Sequence, residues 1–297
     1  MIECRTCGWV PKCVNCDVTL TVHKRLNALT CHYCGHTVSI PEVCPNCGEK
    51  PLMGRGFGTE KVEDYIRELF PEARVARMDL DTTRTRKAYE RLIGDFASGK
   101  TNLHVGTQMI SKGLDFDKVS VVGILNADTM LNMPDFRAYE YAFAMMAQVS
   151  GRAGRKGHQG MVYLQTRNPD LPVIQQVVDN DFKGFYRGVL EERKMFSYPP
   201  FTHVVNVFLK HRKDNVVESA ALELGSRLRT VFGDRVLGPD KPSVARVKQQ
   251  FIRKLILKME TGLDYKKMRL YLRQTQAELM KDKRYGALTV YYDVDPQ

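Results

Sequence analysis

All eight cysteines of this 297-residue chain lie in its first fifty residues, as four C-x-x-C pairs: Cys4 and Cys7, Cys13 and Cys16, Cys31 and Cys34, Cys44 and Cys47. No other feature constrains the fold as much. Two residues between cysteines let both sulfurs of a tight turn face one ion, and four thiolates at tetrahedral geometry close a structural zinc site, so eight cysteines make two such sites. In CRTCG, CHYCG and CPNCG a glycine follows the second cysteine. There it supplies the positive φ that turns backbone N–H groups toward sulfur. The spacing is that of zinc ribbons. A disulfide framework, a redox dithiol and iron–sulfur ligation are the competing readings. His23, His32 and His36 could each replace a thiolate, but with eight cysteines present they read as surface residues. Eight thiolates around two Zn²⁺ would bring the formal charge of +11 down to about +7.

The rest of the composition is that of a globular chain, with 43% hydrophobic residues. No run approaches the roughly 18 apolar residues of a membrane span, and no signal-peptide pattern follows Met1, so the expectation is a cytoplasmic protein. Charge is concentrated at the end: residues 198–297 carry 19 Lys and Arg against 11 Asp and Glu. Such a field attracts phosphate backbones, although basic surfaces also occur on proteins that bind no nucleic acid.

Past Pro51 strands and helices alternate. Thr59 is expected to cap a helix with Val62, Tyr65, Ile66 and Leu69 on one face, ended by Pro71. RVARM at 74–78 reads as a strand. A second helix runs from about Thr85 to near Gly99, and NLHVGT follows as a strand. VSVVGIL at 119–125 reads as a buried strand from its continuous apolar run, 138–150 as a helix and MVYLQT at 161–166 as a strand. This alternation implies an α/β fold with a parallel sheet.

GDFASGKT at 94–101 matches the phosphate-loop pattern letter for letter. A true phosphate loop runs from strand to loop to helix, so that free N–H groups of a helix N-terminus hold the anion. Here a helix precedes and a strand follows. The stretch would offer carbonyls and a negative dipole, which makes the match fortuitous. VGTQMISKG at 105–113, by contrast, follows a strand, at the carboxyl edge where open α/β sheets bind ligands, with Thr107, Gln108, Ser111 and Lys112 close together. QVSGRAGR at 148–155 ends the next long helix and would project Arg152 and Arg155 from a glycine turn, as in a lobe that lends arginines to a neighbour's phosphoryl-transfer site. A basic glycine-rich surface turn is the plainer reading.

The basic tail has a βαββαβ-like pattern: YPPF at 198–201, the strand HVVNVFL, a helix near 215–232, a short strand around Val236, FIRKLILKM, a helix near 264–281 and ALTVYYDVD. Its cations Arg246, Lys248, Arg253, Lys254 and Lys258 are either DNA phosphate contacts or the solvated face of that sheet.

Taken in order, IECRTCGWVPKCVNCD with the later cysteine pairs, GFGTEKVED, ARMDLDTT, VGTQMISKG, LNAD, QVSGRAGR, YPPF and DVDP resemble the PriA family of bacterial primosomal replication-restart DNA helicases. The resemblance spans nearly the whole chain and matches the C-terminal half of that family. It implies four parts: a two-zinc cysteine-rich module at 1–53, the second RecA-like helicase lobe at 54–170, a helical linker at 171–197 and a basic α+β domain at 198–297. It implies nested ligation, with Cys4, Cys7, Cys44 and Cys47 on one zinc and Cys13, Cys16, Cys31 and Cys34 on the other. It also implies that Arg155 is an arginine finger, with Arg152 at the γ-phosphate and Gln148 positioning that site. Gly106, Thr107, Lys112 and Gly113 would couple ATP state to DNA, and Asp115 would contact nucleotide. ATP and Mg²⁺ would be held chiefly by a first lobe, and the strand normally preceding the first cysteine is missing. The implied activity is ATP-dependent 3′→5′ unwinding at stalled forks. Forked and single-stranded DNA, single-strand-binding protein and helicase-loading primosome proteins would be its partners. A self-sufficient ATPase and a zinc-stabilised nucleic-acid-binding module are the alternatives.

Overall fold

In the computed structural model, which describes residues 2–23, 27–50, 52–54, 58–107, 119–154 and 160–296, the cysteine-rich segment folds into five three-residue strands. These are β1 (Ile2–Cys4), β2 (Thr21–His23), β3 (Ala28–Thr30), β4 (Thr37–Ser39) and β5 (Leu52–Gly54). β1 and β5 pair antiparallel and bring the two ends of the module together, while β2, β3 and β4 form an antiparallel sheet inside that loop. So little chain buries little apolar surface, and its core consists of Ile2, Leu20 and Leu29 packed on Cys13, Cys16 and Cys31.

The next unit, Phe57–Leu190, alternates helix and strand. Its order is α1 (Thr59–Leu69), β6 (Val75–Met78), α2 (Arg86–Ala97), β7 (Leu103–Gly106), β8 (Val121–Ile124), α3 (Asp128–Leu131), α4 (Ala138–Ser150), β9 (Met161–Leu164) and α5 (Pro172–Val178), then α6 (Phe182–Met195), which runs beyond the unit. β6 pairs parallel with β7 and β8 parallel with β9. Among the described residues the parallel sheet is therefore two separate pairs. The core lies on the second pair, where Ala142, Phe143 and Met146 of α4 meet Val173, Ile174 and Phe185, with Ile124 and Leu164 against them.

Two local expectations are corrected here. Gly58, not Thr59, is the residue before α1, and the Thr59 hydroxyl donates instead to Asp79 Oδ2 at 2.6 Å. The apolar face of α1 is not buried. VSVVGIL is not a buried strand: Val121 is 59% exposed and, among the described residues, β8 pairs with β9 alone, since a continuous apolar run does not report how many faces are covered. Thr85 does cap α2, accepting from the Ala88 N–H, and Gly99 closes it at φ +77°.

The C-terminal region is an antiparallel sheet of order β11-β13-β10-β14, from β10 (Thr202–His211), β11 (Val236–Asp240), β13 (Gln250–Glu260) and β14 (Thr289–Val294). The two-residue β12 (Arg246–Val247) pairs with the start of β13. Helices α7 (Asp214–Phe232) and α8 (Tyr265–Met280) contribute Val217, Leu224, Leu228, Leu272 and Leu279 to a core with Val205, Val207, Leu209, Leu255 and Leu257. The period-2 alternation of β10 and β13 puts these on one face and Asn206, Phe208, Lys210, Lys254 and Ile256 on the other. The cysteine module and this domain belong to one compact unit, Met1–Gly56 with Glu191–Gln297.

Candidate functional site

The four C-x-x-C turns gather into two groups of four sulfurs: Cys4, Cys7, Cys44 and Cys47, and Cys13, Cys16, Cys31 and Cys34. Within each group the ligand atoms all lie within 4.8 Å of one another. Across the pairs, Cys4 and Cys47 sulfurs are 3.6 Å apart, Cys7 and Cys44 3.7 Å, and Cys13 and Cys34 3.6 Å. Metal–sulfur bonds of about 2.3 Å at tetrahedral angles require edges of about 3.8 Å, whereas a disulfide requires about 2.05 Å. The residues fit two tetrahedral metal ions and no disulfide. Local donors favour the thiolates: the Asn46 side-chain amide and the Trp9 N–H draw the Cys7 thiol down to about 6, and the His36 N–H draws Cys34 to about 7. Burial works against this at Cys16 and pushes its thiol up to about 12.

In the helicase-like unit, the carboxyl ends of the strands carry the polar residues. Arg77 on β6 lies 2.8 Å from Glu60 and 3.1 Å from Asp79. Asp79 also takes N–H groups from Asp81 and Thr82. Burial by itself would raise the Asp79 carboxyl, but the Thr59 hydroxyl, the Thr82 N–H and Arg77 hold it below the usual carboxylate range. Past β8 and β9, Asn126, Asp128, Thr129, Asn132, Arg167 and Asn168 line a recess of about 380 Å³. The LNAD carboxylate Asp128 accepts there from the Thr166 hydroxyl and the Arg167 N–H.

Of the residues expected to serve nucleotide, Gly106 ends β7 and Thr107 follows it, exposed. Gln148 is exposed in the last turns of α4, and Arg152 is half-buried in the turn after it, where Gly154 takes φ +71° and donates to the Val119 carbonyl. Lys112, Gly113, Asp115 and Arg155 lie outside the described residues, as do Gln108 and Ser111.

The basic residues of the C-terminal domain divide sharply. Arg253 is buried, 2% exposed, and its guanidinium is held by Asp214 at 2.6 Å and by Glu218. It is a core ion pair rather than a phosphate contact, because β13 alternation places it on the helix-covered face. Lys258 donates to the Phe196 carbonyl at 2.6 Å and lies 3.8 Å from the centroid of Tyr198, and burial lowers its pKa. It fastens the preceding linker. Arg246 stacks over Phe251 at 5.8 Å, and Lys248 sits in the β12–β13 turn with its backbone against Cys16. Lys254 lies on the open sheet face, in register with Phe208.

Sequence reasoning passed over what accompanies Lys254 there. Phe208 and Tyr291 stack at 4.9 Å with 15° between rings, and the Lys210 ammonium lies 4.6 Å from the Tyr291 centroid. The signal was available, since Phe208 and Lys210 alternate with buried Val207 and Leu209.

The chain matches known families along its length in the same order as these parts. Residues 13–38 match the PriA DNA helicase Cys-rich region, 57–157 the helicase conserved C-terminal domain and 194–297 the primosomal protein N C-terminal domain. Together with the fold they define a helicase-type lobe joined to a metal-binding module and a basic α/β domain. The replication restart protein PriA of Bacillus subtilis is 39% identical over 86% of this chain and 32% of its own length. Those of Synechocystis and Haemophilus influenzae are 38% and 34% identical over 99% and 100% of this chain and 35% and 40% of theirs. The chain belongs to the PriA family. It spans between about a third and two fifths of the length of these relatives. No helix among the described residues is long and apolar enough to cross a membrane.

Proposed function

We propose that this chain supplies the second motor lobe, a two-zinc module and a DNA-binding domain to an ATP-dependent 3′→5′ helicase that restarts replication at stalled forks. The observation that carries the reading is the end of α4 and the glycine turn after it: the helix presents Gln148 and the turn Arg152, on a lobe in which no described loop runs from strand to helix with a phosphate-loop sequence. A lobe of this kind lends guanidinium groups to a nucleotide whose Mg²⁺ and β,γ-phosphates another lobe holds. In this reading Arg155 is the finger and Arg152 contacts the γ-phosphate. Gly106, Thr107, Lys112 and Gly113 link nucleotide state to the DNA backbone, and Asp115 approaches the nucleotide. ATP supplies the phosphoryl group, and this chain stabilises charge that develops on it.

Zn²⁺ is the ion that suits the two groups of four thiolates, being borderline-soft and satisfied by tetrahedral sulfur. For DNA, the open sheet face of the C-terminal domain offers Phe208 and Tyr291 for base stacking with Lys210 and Lys254 for phosphates, which suits single strands. Arg246, over Phe251 on the helix-covered side, and Lys248, in the β12–β13 turn, are further phosphate contacts in this reading only from outside that face. Single-strand-binding protein and helicase-loading proteins are the partners that go with restart.

The test is steady-state ATP hydrolysis with forked DNA. The chain alone should hydrolyse none. In the complete protein Arg155→Ala should lower DNA-stimulated turnover on the order of 10³-fold with nucleotide binding largely intact. Turnover by the chain alone would overturn the reading, and retained turnover in the variant would move the finger to Arg152.

A further inference from the structure

Three of the four cysteine turns are built alike. Gly8, Gly35 and Gly48 follow Cys7, Cys34 and Cys47, take φ of +71°, +76° and +76°, and donate back to the carbonyls of Cys4, Cys31 and Cys44. The left-handed glycine then turns the next N–H, of Trp9, His36 or Glu49, onto the sulfur of the second cysteine. The Cys13–Cys16 turn departs from this plan. Asp17 stands where the others have glycine, and the backbone donor to Cys16 is Lys248, 232 residues away, at 3.3 Å. The Asp17 N–H is itself directed outward, to the Arg246 carbonyl at 2.8 Å.

The turn that reaches in is unusual in its own right. Val247 pairs with Gln250, so Lys248 and Gln249 are the two central residues of a two-residue hairpin, at φ +49° and +62°. Such turns favour Asn-Gly, since both positions need left-handed backbone. A non-glycine residue there costs on the order of 1 kcal/mol or more and persists where surrounding contacts impose it. The imposing contacts are visible. The Gln249 N–H donates to the Asn15 carbonyl at 2.8 Å, its side-chain amide to Asn15 Oδ1 at 3.0 Å, and Val247 packs on the module core.

We propose that the C-terminal domain completes the second metal centre: the β12–β13 turn supplies to Cys16 the N–H that the missing glycine would have turned inward, so that metal retention at Cys13, Cys16, Cys31 and Cys34 and docking of the turn are one linked equilibrium. Four thiolates around a divalent ion leave a charge of about −2, and a buried sulfur carrying part of it needs a donor. Removing an outer-shell partner of this kind typically costs 10–100-fold in metal affinity. Linkage is reciprocal, so metal must tighten the turn as much as the turn tightens metal. The inference rests on the metal reading of the sulfurs and not on helicase activity.

The experiment uses the full chain loaded with zinc, challenged with a chelator and a thiol-alkylating reagent, with each cysteine followed by peptide mass spectrometry. Val247→Asp and Gln249→Pro undo the docking from two directions. Because β12 lies off the main path of the sheet, the α7 and α8 core should survive both, as circular dichroism can verify. Alkylation of Cys13, Cys16, Cys31 and Cys34 should accelerate at least about tenfold while Cys4, Cys7, Cys44 and Cys47 keep their wild-type rate. In the reverse direction, Cys31→Ser should raise amide hydrogen exchange at residues 246–250 and leave α7 and α8 protected. Equal rates for both groups in both variants, or exchange at 246–250 indifferent to Cys31→Ser, would overturn the linkage. A chain that binds no metal would overturn it through the metal reading instead, and metal analysis separates that case.

Discussion

The ammonium of Lys100 lies 3.1 Å from Asp95 Oδ1, folded back toward the end of α2. Around it the Gly99 and Lys100 carbonyls accept from the Arg74 guanidinium, and the chain enters β7 rather than a helix. The string GDFASGKT therefore has its phosphate-loop letters on the carbonyl end of a helix, where an anion is repelled.

Lys100→Ala in a complete PriA-family protein containing this chain should leave ATP turnover with saturating forked DNA within about twofold, a barrier change of roughly 0.4 kcal/mol. An exposed pair of this kind contributes about 0–1 kcal/mol to stability. A hundredfold loss of turnover would mean that the chain holds its own phosphates.

Arg253 and Lys254 are neighbours on β13 and should behave oppositely. Arg253→Ala removes a buried side chain that two half-exposed carboxylates share, and should cost about 2–3 kcal/mol in urea unfolding, less than a fully buried pair because Asp214 and Glu218 regain water. DNA affinity per folded molecule should not change. Lys254→Ala should leave stability nearly alone and reduce the salt slope of DNA binding by about 1. A reversal of these two outcomes would place the DNA on the other face of the sheet.

Phe208→Ala and Tyr291→Ala should each weaken single-stranded DNA binding by about 1–3 kcal/mol, with the salt slope unchanged, since stacking releases no counterions. Unaltered affinity in the double variant would remove the open face from consideration.

Asp79 gives a pH signature. Its folded carboxyl titrates below the usual carboxylate range, so its contribution to stability is complete above about pH 4, the unfolded value, and is lost as pH falls through the folded value. Asp79→Asn should therefore destabilise the unit around α1 and β6 at pH 7, and the gap to wild type in urea midpoint should narrow as pH falls below about 4 and close once it has passed the folded value. A gap independent of pH would assign the effect to lost hydrogen bonds alone.

Some of this was open to reading in the sequence and some was not, for physical reasons. Residues 138–150 form the expected helix because its buried Ala138, Ala142, Phe143 and Met146 recur at helical spacing. The two sulfur groups follow the nested pairing because β1 and β5 close the module from its ends. The sequence left Arg253 as a DNA phosphate contact or part of a solvated face, although Phe251, Arg253 and Leu255 alternate with Ile252, Lys254 and Ile256 along one strand. The partners that make burial tolerable, Asp214 and Glu218, are on another element and invisible to local pattern. VSVVGIL misled because apolar runs report composition and not coverage. Nothing in Lys248-Gln249 announces a left-handed turn, since what imposes it is Asn15, more than 230 residues earlier.

That separation sets an order of events during synthesis. Cys16 leaves the ribosome 232 residues before Lys248. At 5–20 residues per second the interval is about 10–50 s. The first of the two centres to have all its sulfurs made, at Cys34, is the last to receive its full complement of donors. In the nascent chain it waits with an incomplete shell while the outer centre, closed at Cys47, can already be finished.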